Sequence, residues 1–149
     1  MQIRKALPQE APLLSEIAFT SKAYWGYSIQ QLEAWREELT INSEYIQENG
    51  VYVVEDQKII CGFYAYKIIS DACIDLDFVF IIPSEIGKGY GSKLMQHFLA
   101  LINNSPAKKI VVDSDPNAEL FYKHFGFKTI SKKPTLIKNR FLPVMELNL

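Results

Sequence analysis

Val79-Phe-Ile-Ile-Pro83-Ser-Glu-Ile-Gly87-Lys-Gly89-Tyr-Gly91-Ser-Lys-Leu-Met95 is the stretch on which the fold of this chain turns. An apolar run that reads as a buried strand stops at Pro83, three glycines follow at alternate positions, and a helical apolar pattern then begins. A strand, a tight backbone loop and a helix N-terminus in that order build a site for phosphate. Glycines let the backbone take unusual φ/ψ and approach a ligand closely. The unpaired N–H groups of the first helical turn then face an anion, helped by about half a positive charge from the helix dipole. The spacing is G-x-G-x-G, which is neither the G-x-G-x-x-G dinucleotide fingerprint nor a P-loop ending in G-K-[ST]. Taken alone, the three glycines also fit a flexible connector.

Working outward, the 149 residues are 48% hydrophobic, which suits one domain with a real core. Sixteen basic and seventeen acidic residues leave a net charge of −1, so no bulk field favours nucleic acid or a membrane surface. Cys61 and Cys73 lack C-x-x-C spacing and read as reduced thiols in a cytoplasmic protein. The opening Met1-Gln-Ile-Arg-Lys5 reads as strand rather than as an apolar leader. No apolar stretch approaches the ~18 residues needed to span a bilayer. His97 and His124 are too few for a His-rich site, and no metal is expected.

Residues 2–6 read as a short strand. Pro8 leads a helix with Leu13, Leu14, Ile17 and Ala18 at helical spacing, broken by Ser21-Lys-Ala-Tyr-Trp-Gly-Tyr27. Ser28 and Gln31 have the spacing of a capping box and start a second helix, with Ile29, Leu32, Trp35 and Leu39 on one face. Residues 51–55 and 59–69 read as a hairpin around Asp56-Gln57-Lys58. Residues 73–82 form another strand, on which Asp75 and Asp77 alternate with Ile74, Leu76 and Phe78. A helix to about Asn103 follows the glycines, with Leu94, Met95, Phe98 and Leu101 as its core face. Residues 109–113 are a short strand, and Asp115 with Pro116 starts a helix that Gly126 ends. Residues 127–130 and 141–147 read as closing strands joined by the basic loop 132–138. The unit from 73 to 113 is strand, crossover helix, strand, which favours parallel pairing. The sheet is therefore mixed, and the fold class is α/β (equally α+β).

Ile81-Ile-Pro83, Gly87-Lys-Gly89-Tyr-Gly91 and Asp115-Pro-Asn117-Ala118-Glu-Leu-Phe121-Tyr122-Lys-His-Phe-Gly126-Phe127 together resemble the GNAT superfamily of N-acetyltransferases. The first two match its Q/R-x-x-G-x-G/A pyrophosphate motif, and the third its N-x-x-A-x-x-x-Y segment followed by G-F. The resemblance covers essentially the whole chain and looks like an uncharacterised bacterial branch. It departs from the pattern at Ile86, where Gln or Arg is usual, and at Asp115, where Asn is usual. It implies a mostly antiparallel sheet of six or seven strands flanked by about four helices, with a central parallel β-α-β unit that binds acetyl-CoA.

The resemblance also implies roles for residues. Phe80, Ile81 and Ile82 would pair with the pantetheine amides, and an N–H near Ile81 would polarise the thioester carbonyl. Ile86, Gly87, Lys88, Gly89, Tyr90, Gly91 and Ser92 would hold the pyrophosphate, with Asn117 and Phe121 also on the cofactor. A lysine-like amine, with pKa about 10.4, needs a base. Asp75 or Asp77 would serve, directly or through water, unless both are solvated or structural. Tyr122 would protonate the thiolate; the bland alternative is a core tyrosine. Tyr24, Trp25 and Tyr27 would line the acceptor side; the equal alternative for Trp25 is that it caps the core. Arg140 would bind an acceptor carboxylate or else be an ordinary surface arginine. The expected partner is a small-molecule or peptide amine, with no nucleic acid and no membrane, and a homodimer through the C-terminal strands stays open. The rival functions are a CoA-binding regulatory module without catalysis and a nucleotide-phosphate binder.

Overall fold

Gln57 and Lys58 form a two-residue loop in which both residues have positive φ, 51° and 66°. That is the I′ geometry whose twist matches a right-handed hairpin. It joins β2 (Gly50–Asp56) to β3 (Ile59–Ser70). The other strands are β1 (Gln2–Lys5), β4 (Cys73–Ile81), β5 (Lys109–Asp113), β6 (Lys128–Pro134) and β7 (Phe141–Asn148). The helices are α1 (Ala11–Ala23), α2 (Ile29–Leu39), α3 (Ser43–Glu48), α4 (Tyr90–Asn103) and α5 (Glu119–His124). The structure is a computed structural model that describes residues 1–149. Its strands make one seven-stranded sheet in the order β1-β2-β3-β4-β5-β7-β6, with β4 and β5 as the parallel pair. The mixed, mostly antiparallel sheet and its β-α-β unit agree with the sequence reading.

Two compact units divide the chain: residues 1–66 with 78–99, and residues 67–77 with 100–149. In the first, β1, β2 and the start of β3 pair antiparallel, with a bulge between Val54 and Glu55. Leu14, Ile17 and Ala18 of α1 pack with Val51, Val53, Phe63 and Ala65 into one buried cluster. Each large apolar side chain buried there contributes roughly 1.5–3 kcal/mol. Leu13 is exposed, and α1 runs on to Ala23 before Gly26 turns the chain at φ +86°. Ser28 caps α2 as expected, its Oγ accepting from Gln31 N. Ile29 is exposed as the first helical residue, whereas Leu32 and Leu39 are buried. The sequence reading did not identify α3, whose cap is Asn42 Oδ1 accepting from Tyr45 N at 2.8 Å.

In the second unit β5 pairs with β7 over Lys109–Asp113, and β7 with β6 around a bulge at Thr129/Ser131. Ile110, Val112, Phe127 and Met145 are buried. Lys132, Lys133 and Pro134 belong to β6 rather than to a loop. As the last strand in the sheet order, β6 is blunted by those residues against strand addition. The helical segment after Asp115 begins as a 3₁₀ turn, Pro116–Ala118, continues as α5, and ends at Gly126 with φ +94°. On α4, Ile102 is buried and Leu101 only half-buried, so the core face is Leu94, Met95, Phe98 and Ile102. No helix is long and apolar enough to cross a membrane.

Candidate active site

In the first unit β4 ends at Ile81, a 3₁₀ turn covers Pro83–Glu85, and Gly87 and Gly89 follow at φ +88° and +87°. An L side chain is strained in that left-handed region, which is why glycine stands at both positions. A Cβ at either one would meet nothing within 4 Å, so conformation requires the glycines and the space above them is open. Gly91 is different: it sits in the first turn of α4 and has no positive φ. The first bond of the helix runs from Lys93 N to Gly89 O at 3.1 Å. The N–H groups of Tyr90, Gly91 and Ser92 therefore lack an intrahelical acceptor. These amides, beside two left-handed glycines at the positive end of a fourteen-residue helix, form an anion cradle.

Side chains brace the cradle. The Tyr90 phenol donates to Asp56 Oδ2 at 2.7 Å, tying the loop to the end of β2. That bond is the main reason its phenol is pushed up from the usual tyrosine value. Lys88 Nζ lies 2.9 Å from Glu85 Oε2, and the Ile86 side chain is exposed. The donors that the loop offers are thus main-chain N–H groups, with no Gln or Arg at Ile86.

The end of β4 is pressed flat against β3. Ile82 N donates to Cys61 O at 2.8 Å, and a Cβ on Gly62 would lie 2.5 Å from Phe80 O. Phe80 O and Ile82 N thus face β3, so the N–H and C=O of Ile81 point the other way. There the Ile81 carbonyl accepts a hydrogen bond from the hydroxyl of Ser21, a buried residue of α1. Ser21 is a functional candidate that the sequence reading missed. A signal existed: Leu14, Ala18 and Ser21 lie at i, i+4 and i+7, so a polar residue falls on the apolar stripe. In the same unit Tyr24 and Trp25 are 52% and 48% exposed and pack edge to face at 5.1 Å. Trp25 therefore does not cap the core. Tyr27 stacks edge-on against Trp35 at 4.8 Å, and the Lys22 ammonium lies 5.6 Å and 5.1 Å from their ring centres.

In the second unit the parallel ladder between β4 and β5 ends at Asp75–Val111, six residues before β4 itself ends at Ile81. Asp75 is half-buried; burial first, then the charges of Asp77 and Asp113, push its carboxyl above the ordinary aspartate value. Asp77 Oδ2 is 3.6 Å from Lys67 Nζ. Tyr122 is buried against Phe121 and Phe127, at ring distances of 5.3 Å and 5.6 Å. Its phenol is pushed up by burial, with a smaller contribution from the Asp115 charge. Asn117 lies in the turn before α5, and its N and Nδ2 both donate to Asp115 Oδ1 at 2.8 Å. Arg140 Nη2 sits 3.1 Å from Asp115 Oδ2, with side chains only 12% and 13% exposed. Arg140 is thus a partly buried member of an ion pair rather than a solvated surface arginine. His124, the remaining helix histidine, stacks edge-on against Phe125 at 5.1 Å.

The family model described as an acetyltransferase (GNAT) domain matches residues 10–147. The chain belongs to the GNAT superfamily of acetyltransferases. A protein of Pseudomonas phage PaMx11 described as "5-NmdU N-acetyltransferase" is 28% identical over 128 residues, 84% of this chain and 85% of its own. A GCN5-related N-acetyltransferase from Rhodopseudomonas palustris superposes with a TM-score of 0.79 at 20% identity, over 99% of this chain and 95% of its own. PaiA N-acetyltransferase from Thermoplasma acidophilum, solved with coenzyme A, gives 0.76 at 16% identity, over 99% and 98%. This GNAT acyltransferase therefore shares its whole fold with these proteins.

Proposed function

We propose that the protein moves an acetyl group from acetyl-CoA to a primary amine of a small molecule or peptide, by direct attack of the amine on the thioester. The observation that carries this reading is the cradle of main-chain amides at the start of α4, opened by Gly87 and Gly89 at positive φ. It fits a diphosphate: the donors are uncharged N–H groups, no side chain fills the space above the glycines, and the helix dipole favours an anion. The solved coenzyme A complex of a fold relative supports the same cosubstrate.

In this reading the Tyr90, Gly91 and Ser92 amides hold the pyrophosphate, and the outward groups of the β4 end take the pantetheine. The Ile81 N–H donates to the carbonyl oxygen as it gains charge. Asp75, or water held by it, takes the proton from the ammonium. The raised carboxyl makes Asp75 a better base than an ordinary aspartate. The C–N bond forms, the C–S bond breaks, Tyr122 gives its proton to the departing thiolate, and the second proton shed by the acylated nitrogen returns to the tyrosinate. Burial keeps that phenol protonated at neutral pH, so it is charged with its proton at the start of each turnover. Tyr24 and Trp25, exposed on the α1–α2 connection, would meet the acceptor.

Thermal-shift and calorimetric titration test the donor: acetyl-CoA raises the melting temperature, whereas ATP and NAD do not. Release of thiol from acetyl-CoA in the presence of an amine panel tests the transfer. The panel includes 5-NmdU, because a relative is described as acting on it. No heat with acetyl-CoA would sink the reading, and binding without turnover on any amine would reduce the protein to a CoA-binding module.

A further inference from the structure

Asp115 stands where the family motif usually has asparagine. As a cap the two residues are nearly equivalent, because either offers one oxygen to the N–H two or three positions on. Here that oxygen is Oδ1, which accepts from both the main chain and the side chain of Asn117. What the carboxylate adds is a second, charged oxygen, and Arg140 Nη2 sits on it at 3.1 Å. The side chains of the pair are only 12% and 13% exposed. Removing one half of an ion pair at such depth is costly.

The rest of the second unit holds Arg140 in place. Thr135 Oγ1 donates to the carbonyls of Ile137 and Arg140 at 3.2 Å and 2.9 Å, and Ile137 N donates back to Thr135 Oγ1 at 3.1 Å. Arg140 N closes the same turn on Ile137 O. On the other side, Ser114 N donates to Pro143 O at 2.8 Å, and Ser114 Oγ to Asp115 O at 2.6 Å. The turn that begins the Tyr122 helix is therefore clamped from two sides by the segment entering β7.

We propose that Arg140 is a positioning residue for Tyr122: by gripping one oxygen of Asp115 it holds the other on the Asn117 cap and fixes the start of α5. The proposal rests on the acetyl-transfer reading for its catalytic consequence. It gives Arg140 a role different from the acceptor-carboxylate contact that the family resemblance implies.

The test is a double-mutant cycle with Arg140→Met, Asp115→Asn and the double variant, read by thiol release from acetyl-CoA with an accepted amine. Methionine keeps much of the arginine stem and removes the charge. Each single variant loses roughly ten-fold in kcat with KM for the amine changed less than about three-fold, because each removes one half of a partly buried ion pair. The double variant, with an uncharged cap and no cation, recovers to within about three-fold of the parent. An Arg140→Met variant that raised KM for the amine at constant kcat would overturn the proposal, as would a double variant no better than the worse single. If Arg140→Met does not fold, a folded and active double variant still supports the clamp, and an unfolded one overturns it. A parent protein inactive on every amine would defeat the transfer reading instead. The clamp then stands on the melting temperature, which falls in each single variant and recovers in the double; no recovery overturns it.

Discussion

The loop at Gly87–Ser92 and the turn at Asp115–Tyr122 are both short connections into helices, yet they are built by different means. The first works through the main chain: two left-handed glycines and three unpaired amides, with side chains only bracing from outside. The second works through side chains: an aspartate, an asparagine and an arginine twenty-five residues away fix where a tyrosine helix starts. Main-chain sites tolerate side-chain change, so Ile86 is expected to do little harm at the first. Side-chain sites do not, so a carboxylate at Asp115 needs a matching cation. The lesson is that the same departure from a family motif weighs differently in the two places.

Four measurements break or sharpen this contrast. The largest effect is expected at Tyr122→Phe, which removes the proposed acid and lowers kcat about 100-fold or more while acetyl-CoA still binds. Unchanged kcat would leave the second region a structural turn only. Next, Gly89→Val puts a β-branched residue at φ +87° and weakens acetyl-CoA binding about ten-fold or more in calorimetry. Equal affinity would mean that the amide cradle is not the anion site.

A smaller loss follows Ser21→Ala, which leaves the outward carbonyl of Ile81 without its donor. The melting free energy drops by about 1 kcal/mol, while Ser21→Thr, keeping the hydroxyl, loses less. An alanine variant as stable as the parent would show that the β4 end needs no brace. The smallest effect concerns pH. Tyr64 Oη and His97 Nδ1 are 2.8 Å apart, and burial lowers the histidine pKa below its ordinary 6.5. The unfolded chain then binds a proton more readily, so stability is complete above about pH 6.5 and declines as pH falls through the window below it. Chemical denaturation should show that decline, and His97→Phe should flatten it. A decline that persists in the variant would assign it to other groups.

How far the residues themselves disclosed this protein differs by the range of the forces involved. The hairpin, the Ser28 cap, the Gly126 stop and the parallel β-α-β unit follow from turn chemistry, caps and periodicity within a few neighbours, and the structure contains them. The short α3 was invisible because six residues carry too little periodicity to stand out. Leu101 was read as core in place of Ile102, a one-position error that a period of 3.6 readily produces. At the candidate site, the left-handed glycine loop and the helix that carries Tyr122 follow from residue spacing, and the structure contains both. Ser21 was not legible, because its partner is a main-chain carbonyl sixty residues away. Gly62 was not, because what excludes a side chain there is the backbone of Phe80 on the next strand.

The order of residues alone thus determined the glycine loop before α4, since glycine's freedom and a helix's first amides are local properties, and its resemblance to a known family implied the mixed sheet. Folding in three dimensions decided the rest. It made Arg140 a partner for Asp115, turned the groups of Ile81 away from β3, and surrounded Asp75 with enough apolar matter and negative charge to raise its carboxyl. Burial, charge pairing and desolvation depend on distances between segments remote in the chain, and those distances exist only once the chain has folded.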